Sequence, residues 1–339
     1  MNNINLLIYL FMIMMFLSIF FSFTFLNMLG VYMMMELNMI SYLPLLIYYN
    51  YNNKTEIVFI YYIIQSVGSM MFLFNILIMM FCMNYYFNKE LMLFGCMISL
   101  FIKLGCVPFH FWYLMMMKNM SWLNCYLLST VQKLMPMLFL YQFINNYLYL
   151  GIFMCSLLSV FSLNEVSLRM IMAYSSINHM SWMIMGIMHS FMVWFIYFFI
   201  YMILMFFLIS LLNYYNIYYI NQILFCMNGK LVFYLFSLYI FSLGGMPPFM
   251  GFYMKWFVMD LMINNLFILM FMVMILGSMI MLFSYIRLMY MYMLFYKSTM
   301  IVNIYMFYLG SNMHKYYFIM VVMLYMGLFM LMMGVMFLF

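Results

Sequence analysis

Charge is almost missing from this chain. Of its 339 residues only 5% are Asp, Glu, Lys or Arg, while 72% are hydrophobic. A soluble domain carries roughly 25% charged residues, and so few charges could not cover its surface. The chain therefore reads as an integral membrane protein. Polar alternation is missing too. The strands of a β-barrel would alternate apolar and polar residues, whereas the apolar runs here continue over ~20 residues, one bilayer crossing as a helix. Alanine is nearly absent: Ala173 stands alone beside 56 Met, 34 Tyr and 41 Phe. Membrane helices favour small residues at their contacts, so packing does not account for this skew. An AT-rich genome in which ATA also encodes Met does account for it. That points to a chain encoded inside a mitochondrion.

Further absences narrow the chemistry. No Lys or Arg precedes Lys54, so an Arg-rich transit peptide is not expected, nor a short charged region with a cleavage site. Residues 5–27 are expected to form the first retained helix. The six cysteines, Cys82, Cys96, Cys106, Cys125, Cys155 and Cys226, include no CxxC pair. Cluster or zinc ligation favours close spacing, so they read as small apolar packing residues. No His/Glu spacing suggests a metal. There is no GxGxxG, no GxxxxGK[ST] and no basic patch for nucleic acid. No carboxylate lies near enough in sequence to orient a Ser–His nucleophile. The polar connections, about 213–230 and 296–316, are too short and aromatic-rich for a soluble module.

What is present is a series of apolar runs. Each taken as a helix, they give about eleven crossings, at roughly 5–27, 28–49, 57–83, 91–113, 122–143, 147–163, 168–188, 190–212, 231–262, 266–295 and 317–338. Two are expected to be broken. The ninth is too long for one crossing and contains Gly244-Gly245-Met246-Pro247-Pro248, and the fourth contains Gly105-Cys106-Val107-Pro108. Glycine and proline free backbone groups from a helix, which a membrane tolerates only where the break is buried or lines a cavity. Such breaks mark the binding sites of many transporters.

The loop charges are asymmetric. Counted along these spans, Lys54, Lys118, Arg169, Lys230, Lys297 and Lys315 fall on the side of the N-terminus, and the other side holds only Lys89, next to Glu90. The positive-inside rule then places the N-terminus in the matrix. Arg287, within the tenth span, could snorkel to its matrix end.

Subtracting these leaves four central ionisable groups on separate helices: Glu36, Lys103, Lys133 and Lys255. Charges at bilayer depth cost on the order of 2.5–3.5 kcal/mol on insertion scales and usually work on an ion or proton path. Desolvation disfavours a charge and a neighbouring opposite charge restores it. A buried lysine that gains or loses a carboxylate neighbour can thus switch between holding and releasing a proton. The plainer reading is a set of ion pairs that pack helices. One glutamate cannot pair three lysines, however, so at least two need another partner, water or deprotonation. His110, at the break in Pro108-Phe109-His110-Phe111-Trp112, reads equally as a path member or a structural hydrogen bonder. His179, in the polar stripe Ser175-Ser176-Ile177-Asn178-His179, reads equally as part of a hydrated path or as an interhelical hydrogen bonder. His189 and His314 read as loop residues, and Glu165 could pair Arg169.

Several stretches carry a resemblance. Gly30-Val31-Tyr32-Met33-Met34-Met35-Glu36-Leu37-Asn38, Lys103-Leu104-Gly105-Cys106-Val107-Pro108-Phe109-His110-Phe111-Trp112, Gln132-Lys133, Ser175-Ser176-Ile177-Asn178-His179 and Ser242-Leu243-Gly244-Gly245-Met246-Pro247-Pro248-Phe249 occur in this order. Over essentially the whole chain they resemble the chain 2 family of mitochondrial NADH–ubiquinone oxidoreductase (respiratory complex I), of an invertebrate, insect-like type. The resemblance implies an all-α polytopic membrane protein, 1–339 forming a single antiporter-like transmembrane domain that lacks the first three helices of bacterial relatives. It implies a proton-translocating membrane-arm subunit of the mitochondrial inner membrane. The proton-path residues would be Glu36, Lys103, Lys133 and Lys255, with His110 and His179 in path hydration or relay.

The same resemblance implies no cofactor in this chain, with NADH, FMN, iron–sulfur clusters and ubiquinone bound elsewhere in the complex. Partners would be other membrane-arm and accessory subunits and phospholipids, cardiolipin among them, with no nucleic acid. Two departures stand out: Met254 where family members often have Pro, and Val131 where many have Trp. Neither removes a titratable group. A cation/proton antiporter subunit and a structural spacer without its own proton path remain as alternatives.

Overall fold

The structure is a computed structural model that describes residues 2–25, 27–49, 54–81, 89–144, 147–226, 230–247, 249–264 and 268–299. The expected eleventh span, His314, Lys315, Cys82 and Pro248 lie outside these residues. So do the side chains of Lys54, Lys89, Glu90, Cys226, Lys230 and Lys297.

Helices follow one another in the expected order. They are α1 (Asn2–Thr24), α2 (Met28–Tyr49), α3 (Lys54–Phe81), α4 (Lys89–Leu104), α5 (Phe111–Asn119), α6 (Trp122–Ser129) and α7 (Val131–Leu140), the last followed by a 3₁₀ turn. Next come α8 (Leu148–Leu157), which continues as a 3₁₀ stretch (Leu158–Leu163), then α9 (Leu168–His189), α10 (Phe191–Tyr214), α11 (Ile220–Cys226), α12 (Lys230–Gly244), α13 (Met250–Asn264) and α14 (Ile268–Thr299). Among the described residues the only β pairing is an isolated bridge between Ser167 and Tyr219. Among the described residues, five helices are long and apolar enough to cross a membrane: Leu6–Thr24, Met28–Tyr49, Thr55–Met80, Phe191–Tyr214 and Ile268–Tyr290. The chain is a multi-pass membrane protein.

Both expected breaks occur. Gly105 (φ +69) ends α4 and Gly245 (φ +80) ends α12, and each takes the left-handed conformation that glycine alone adopts without strain. A further interruption, not expected from the sequence, separates α6 from α7 at Thr130 (φ −120, ψ −76). There the Thr130 hydroxyl donates to the Tyr126 carbonyl at 2.6 Å, a side-chain bond that competes with the helical ladder. Pro136 does not mark this break, because it sits inside α7.

The chain divides into two compact units, Met1–Cys155 and Ser156–Phe339. In the first, α3 packs against α2 and α4, and α7 packs against α4 and α6. In the second, α9 is central and is buried at every residue from Ile171 to Ile187. A helix buried all round belongs in a core. Within it, Ser175, Ser176 and Ser181 donate to the Met172, Ala173 and Asn178 carbonyls at 2.6–2.8 Å. Arg287 of α14 caps the end of the 3₁₀ stretch. It donates to the Leu163 carbonyl, to Glu165 O at 2.5 Å and to Ser162 O at 3.5 Å. Arg169 lies over the Tyr218 ring, 4.3 Å from its centroid.

Candidate functional site

Lys103, Lys133 and Lys255 are all buried, at 7%, 3% and 4% exposure. Each sits beside a helix interruption, and the interruptions supply what a lysine in an apolar core needs.

Lys103 lies in the last turn of α4. The carbonyls freed there are satisfied one by one. Phe101 O accepts the Cys106 N–H at 3.1 Å, Ile102 O accepts Trp112 Nε1 at 3.1 Å, and Lys103 O accepts Gln65 Nε2 at 3.1 Å. Gly68 of α3 makes room for the lysine stem, since a Cβ there would stand 3.0 Å from Lys103 Cγ. The ammonium donates to Met35 Sδ at 3.8 Å and interacts electrostatically with Glu36. Glu36 Oε1 is buried and has no hydrogen-bond partner among the described residues.

Lys133 enters at the start of α7, directly after the Thr130 interruption. Its ammonium faces the Tyr113 ring, 4.6 Å from the centroid, a cation–π contact. It also interacts electrostatically with the thiols of Cys106 and Cys155. Next to it, Gln132 and Asn38 exchange amide hydrogen bonds at 3.1 and 3.4 Å, and the Tyr61 hydroxyl donates to Gln132 Oε1 at 3.1 Å. Tyr61 also lies within the field of Glu36. Polar groups of α2, α3 and α7 therefore meet between the helices that carry Glu36 and Lys133.

His110 directly precedes α5, at the break that begins with Gly105. Its Nδ1 lies 3.2 Å from the Pro108 carbonyl, and its ring packs on Phe111.

In the second unit, Lys255 of α13 donates to the Gly244 carbonyl at 2.7 Å. Gly244 is the last residue of α12, so the cation occupies the negative end of a helix dipole. The approach depends on Gly245, where a Cβ would come within 2.7 Å of Lys255 Nζ. His179 pairs through Nδ1 with the Tyr197 hydroxyl at 2.8 Å and lies 5.0 Å from the Tyr201 ring centroid. An interhelical hydrogen bond is thus made, from α9 to α10.

The three lysines differ in what they rest against. Glu36 serves Lys103, Lys133 has an aromatic face and two thiols, and Lys255 has a helix-terminal carbonyl. The sequence reading missed Tyr61, Gln65 and Tyr113, and treated Cys106 and Cys155 as packing. Tyr61, Gln65 and Gly68 fall on one face of α3 at helical spacing, a signal that could have found the first two. The two cysteines are distant in sequence, and nothing local pairs them.

Residues 26–275, which hold all four ionisable groups, match the model of the NADH:quinone oxidoreductase/Mrp antiporter transmembrane family. The chain belongs to that family. Among curated relatives it is 37% identical over 194 residues to NADH-ubiquinone oxidoreductase chain 2 of Anopheles gambiae, covering 56% of each chain. With chain 2 of Locusta migratoria it is 34% identical over 195 residues, 56% of this chain and 57% of that one. The matched stretch spans just over half the length of these relatives. In fold it is similar to a chain of respiratory complex I from Thermus thermophilus. The TM-score is 0.75 at 16% identity, over 83% of this chain and 69% of that one. The Mrp complex of Dietzia sp. DQ12-45-1b also holds a similar chain, at TM-score 0.66 and 16% identity over 77% and 56%. Family membership agrees with the all-helical, antiporter-like fold expected from the sequence.

Proposed function

We propose that this chain is a membrane-arm subunit of a proton-pumping NADH–ubiquinone oxidoreductase in the mitochondrial inner membrane. On this reading all 339 residues form one transmembrane domain of eleven crossings with the N-terminus in the matrix. NADH, FMN, iron–sulfur clusters and ubiquinone are handled by other subunits of the complex. The chain itself moves protons. Glu36 sets the charge state of Lys103, Lys103 is the central proton holder, Lys133 relays, and Lys255 is the exit-side group. His110 and His179 hold the local backbone and helix packing beside these groups and contribute to hydration of the route. Phospholipids, cardiolipin among them, surround the helices.

The observation that carries this reading is the placing of three buried lysines at three helix interruptions, each held by partners other than a tight carboxylate. A spacer that used ion pairs only to pack helices would bring a carboxylate to each lysine, because an unpaired buried charge is destabilising. A buried ammonium without such a pair gives up its proton more readily. The likeness to the Dietzia Mrp complex supports a second reading, a cation/proton antiporter subunit.

One experiment addresses both. The complex is purified from mitochondria and reconstituted, and the protons moved per electron are measured for wild type and Lys103→Met. Quinone reductase activity that co-purifies, with a lowered proton-to-electron ratio in the variant, is the expected result. Normal pumping by Lys103→Met would overturn the role of Lys103, and an assembly without quinone reductase would favour the antiporter.

A further inference from the structure

Gln132 stands between the Thr130 interruption and Lys133, and its side chain is held from three other helices. Its Oε1 accepts from Asn38 Nδ2 of α2 and from the Tyr61 hydroxyl of α3, each at 3.1 Å. Its Nε2 donates to Asn38 Oδ1 at 3.4 Å and to Met15 Sδ of α1 at 3.5 Å. Asn38, Tyr61 and Met15 are all buried. These bonds fall where the backbone is least decisive. Thr130 leaves helical geometry (φ −120, ψ −76), and the Lys133 N–H turns to the Thr130 carbonyl, three residues back, at 3.0 Å. An unbroken helix would carry the direction of α6 into α7. Across this break, side chains must set the rotation of the first turn of α7. Gln132 and Lys133 are neighbours in that turn, about 100° apart around the axis, so fixing one aims the other. Lys133 reaches from there to the Tyr113 ring, 4.6 Å from its centroid. Tyr113 in turn packs on the break that follows Lys103, where a Cβ on Gly105 would stand 2.9 Å from Tyr113 Cβ. Lys133 therefore points towards the end of the helix that carries Lys103.

We propose that Gln132 is a positioning residue for Lys133. Its amide, clasped by Asn38 and Tyr61, sets the rotation of the first turn of α7 and so aims the ammonium at Tyr113 and the Gly105 break. The same clasp ties α7 to α2, the helix that carries Glu36 two residues before Asn38. A buried polar network whose members satisfy one another rigidifies the helices it joins and specifies one arrangement of them. The span from α2 to α7 is the decisive quantity, because it is the length of the two amide side chains together. This inference rests on the reading of Lys133 as a proton relay.

The test uses the assembled complex in vesicles, with protons moved per electron as the readout and thermal stability measured beside it. Gln132→Asn shortens the amide by one methylene, so that it no longer spans to Asn38. Proton-coupled turnover is expected to slow roughly tenfold, within the 10²-fold that a misplacement of about 1 Å can cost, and the proton-to-electron ratio to fall. Adding Asn38→Gln returns the methylene from the opposite side, and this double variant is expected to recover most of the wild-type ratio. Electron cryomicroscopy is expected to show Lys133 Nζ displaced from the Tyr113 ring in Gln132→Asn and back over it in the double variant. Wild-type coupling in Gln132→Asn overturns the proposal, as does a double variant no better than the single one. Lowered stability in Gln132→Asn with normal coupling and Lys133 still over the ring also overturns it, because the clasp would then only pack helices. If Gln132→Asn does not assemble, Tyr61→Phe carries the test, since it removes one donor to Gln132 Oε1 and keeps the ring. A lowered ratio there supports the proposal and a wild-type ratio overturns it. If Lys133→Met pumps normally, the relay reading of Lys133 fails first, and this inference with it.

Discussion

Glycine decides where the Lys255 ammonium can rest. Gly245 holds φ +80 and leaves the volume that Lys255 Nζ uses to reach the Gly244 carbonyl. An alanine there meets two penalties. The left-handed backbone costs a non-glycine residue about 1–3 kcal/mol, and its Cβ would displace the ammonium from the carbonyl. Gly245→Ala is therefore expected to lower the thermal stability of the purified complex by that order and to reduce protons pumped per electron. Unchanged stability with normal pumping would show that Lys255 does not need this contact. Gly68 acts similarly on Lys103, although its helix geometry is ordinary and only space is at stake. At this scale the lysines were legible in the sequence, because a charge in an apolar run stands out. Their partners were not. The Tyr113 ring beneath Lys133 and the Gly244 carbonyl that holds Lys255 carry no sign of these contacts in local sequence.

Helix ends are where this fold handles its polar backbone. The last carbonyls of a helix lack intrahelical donors, and water is not there to help in a membrane. At the end of α4, Gln65 and Trp112 supply the donors. At the end of the 3₁₀ stretch that follows α8, Arg287 supplies them to Ser162, Leu163 and Glu165. Removing that guanidinium strands several carbonyls at once. Arg287→Gln is expected to cost on the order of 2 kcal/mol, the scale of hydrogen bonds to a charged group. Thermal unfolding of the detergent-solubilised complex would read it, and an unshifted transition would mean that the carbonyls find other donors. The breaks at Gly105 and Gly245 were legible, since glycine and proline restrict backbone choices wherever they stand. The break at Thr130 was not, because threonine lacks the fixed backbone preference that makes glycine and proline stand out in a sequence.

The whole chain should be oriented by its loop charges. Lys118 and Arg169 lie on the N-terminal side in the span count. Lys118 is exposed in the last turn of α5, where a cation also suits the helix dipole. With mitoplasts, a protease added from outside should spare an epitope fused at the N-terminus, and a membrane-impermeant amine reagent should leave Lys118 unlabelled. Inside-out vesicles should reverse both results. Cleavage of the epitope in intact mitoplasts would invert the proposed topology.

The sequence by itself determined the all-helical membrane class, the order of the apolar helices and two of the breaks. Those depend on composition, on the length of apolar runs and on residues with fixed backbone preferences, all of which are local. It also singled out the charges that lie within apolar runs, because so few are present. Only the tertiary structure decided what each central charge rests against. Lys103 donates to Met35 of another helix, Lys133 lies over the Tyr113 ring, and Lys255 sits on the end of α12. Contacts of this kind are set by how helices pack, and packing depends on residues far apart in the chain.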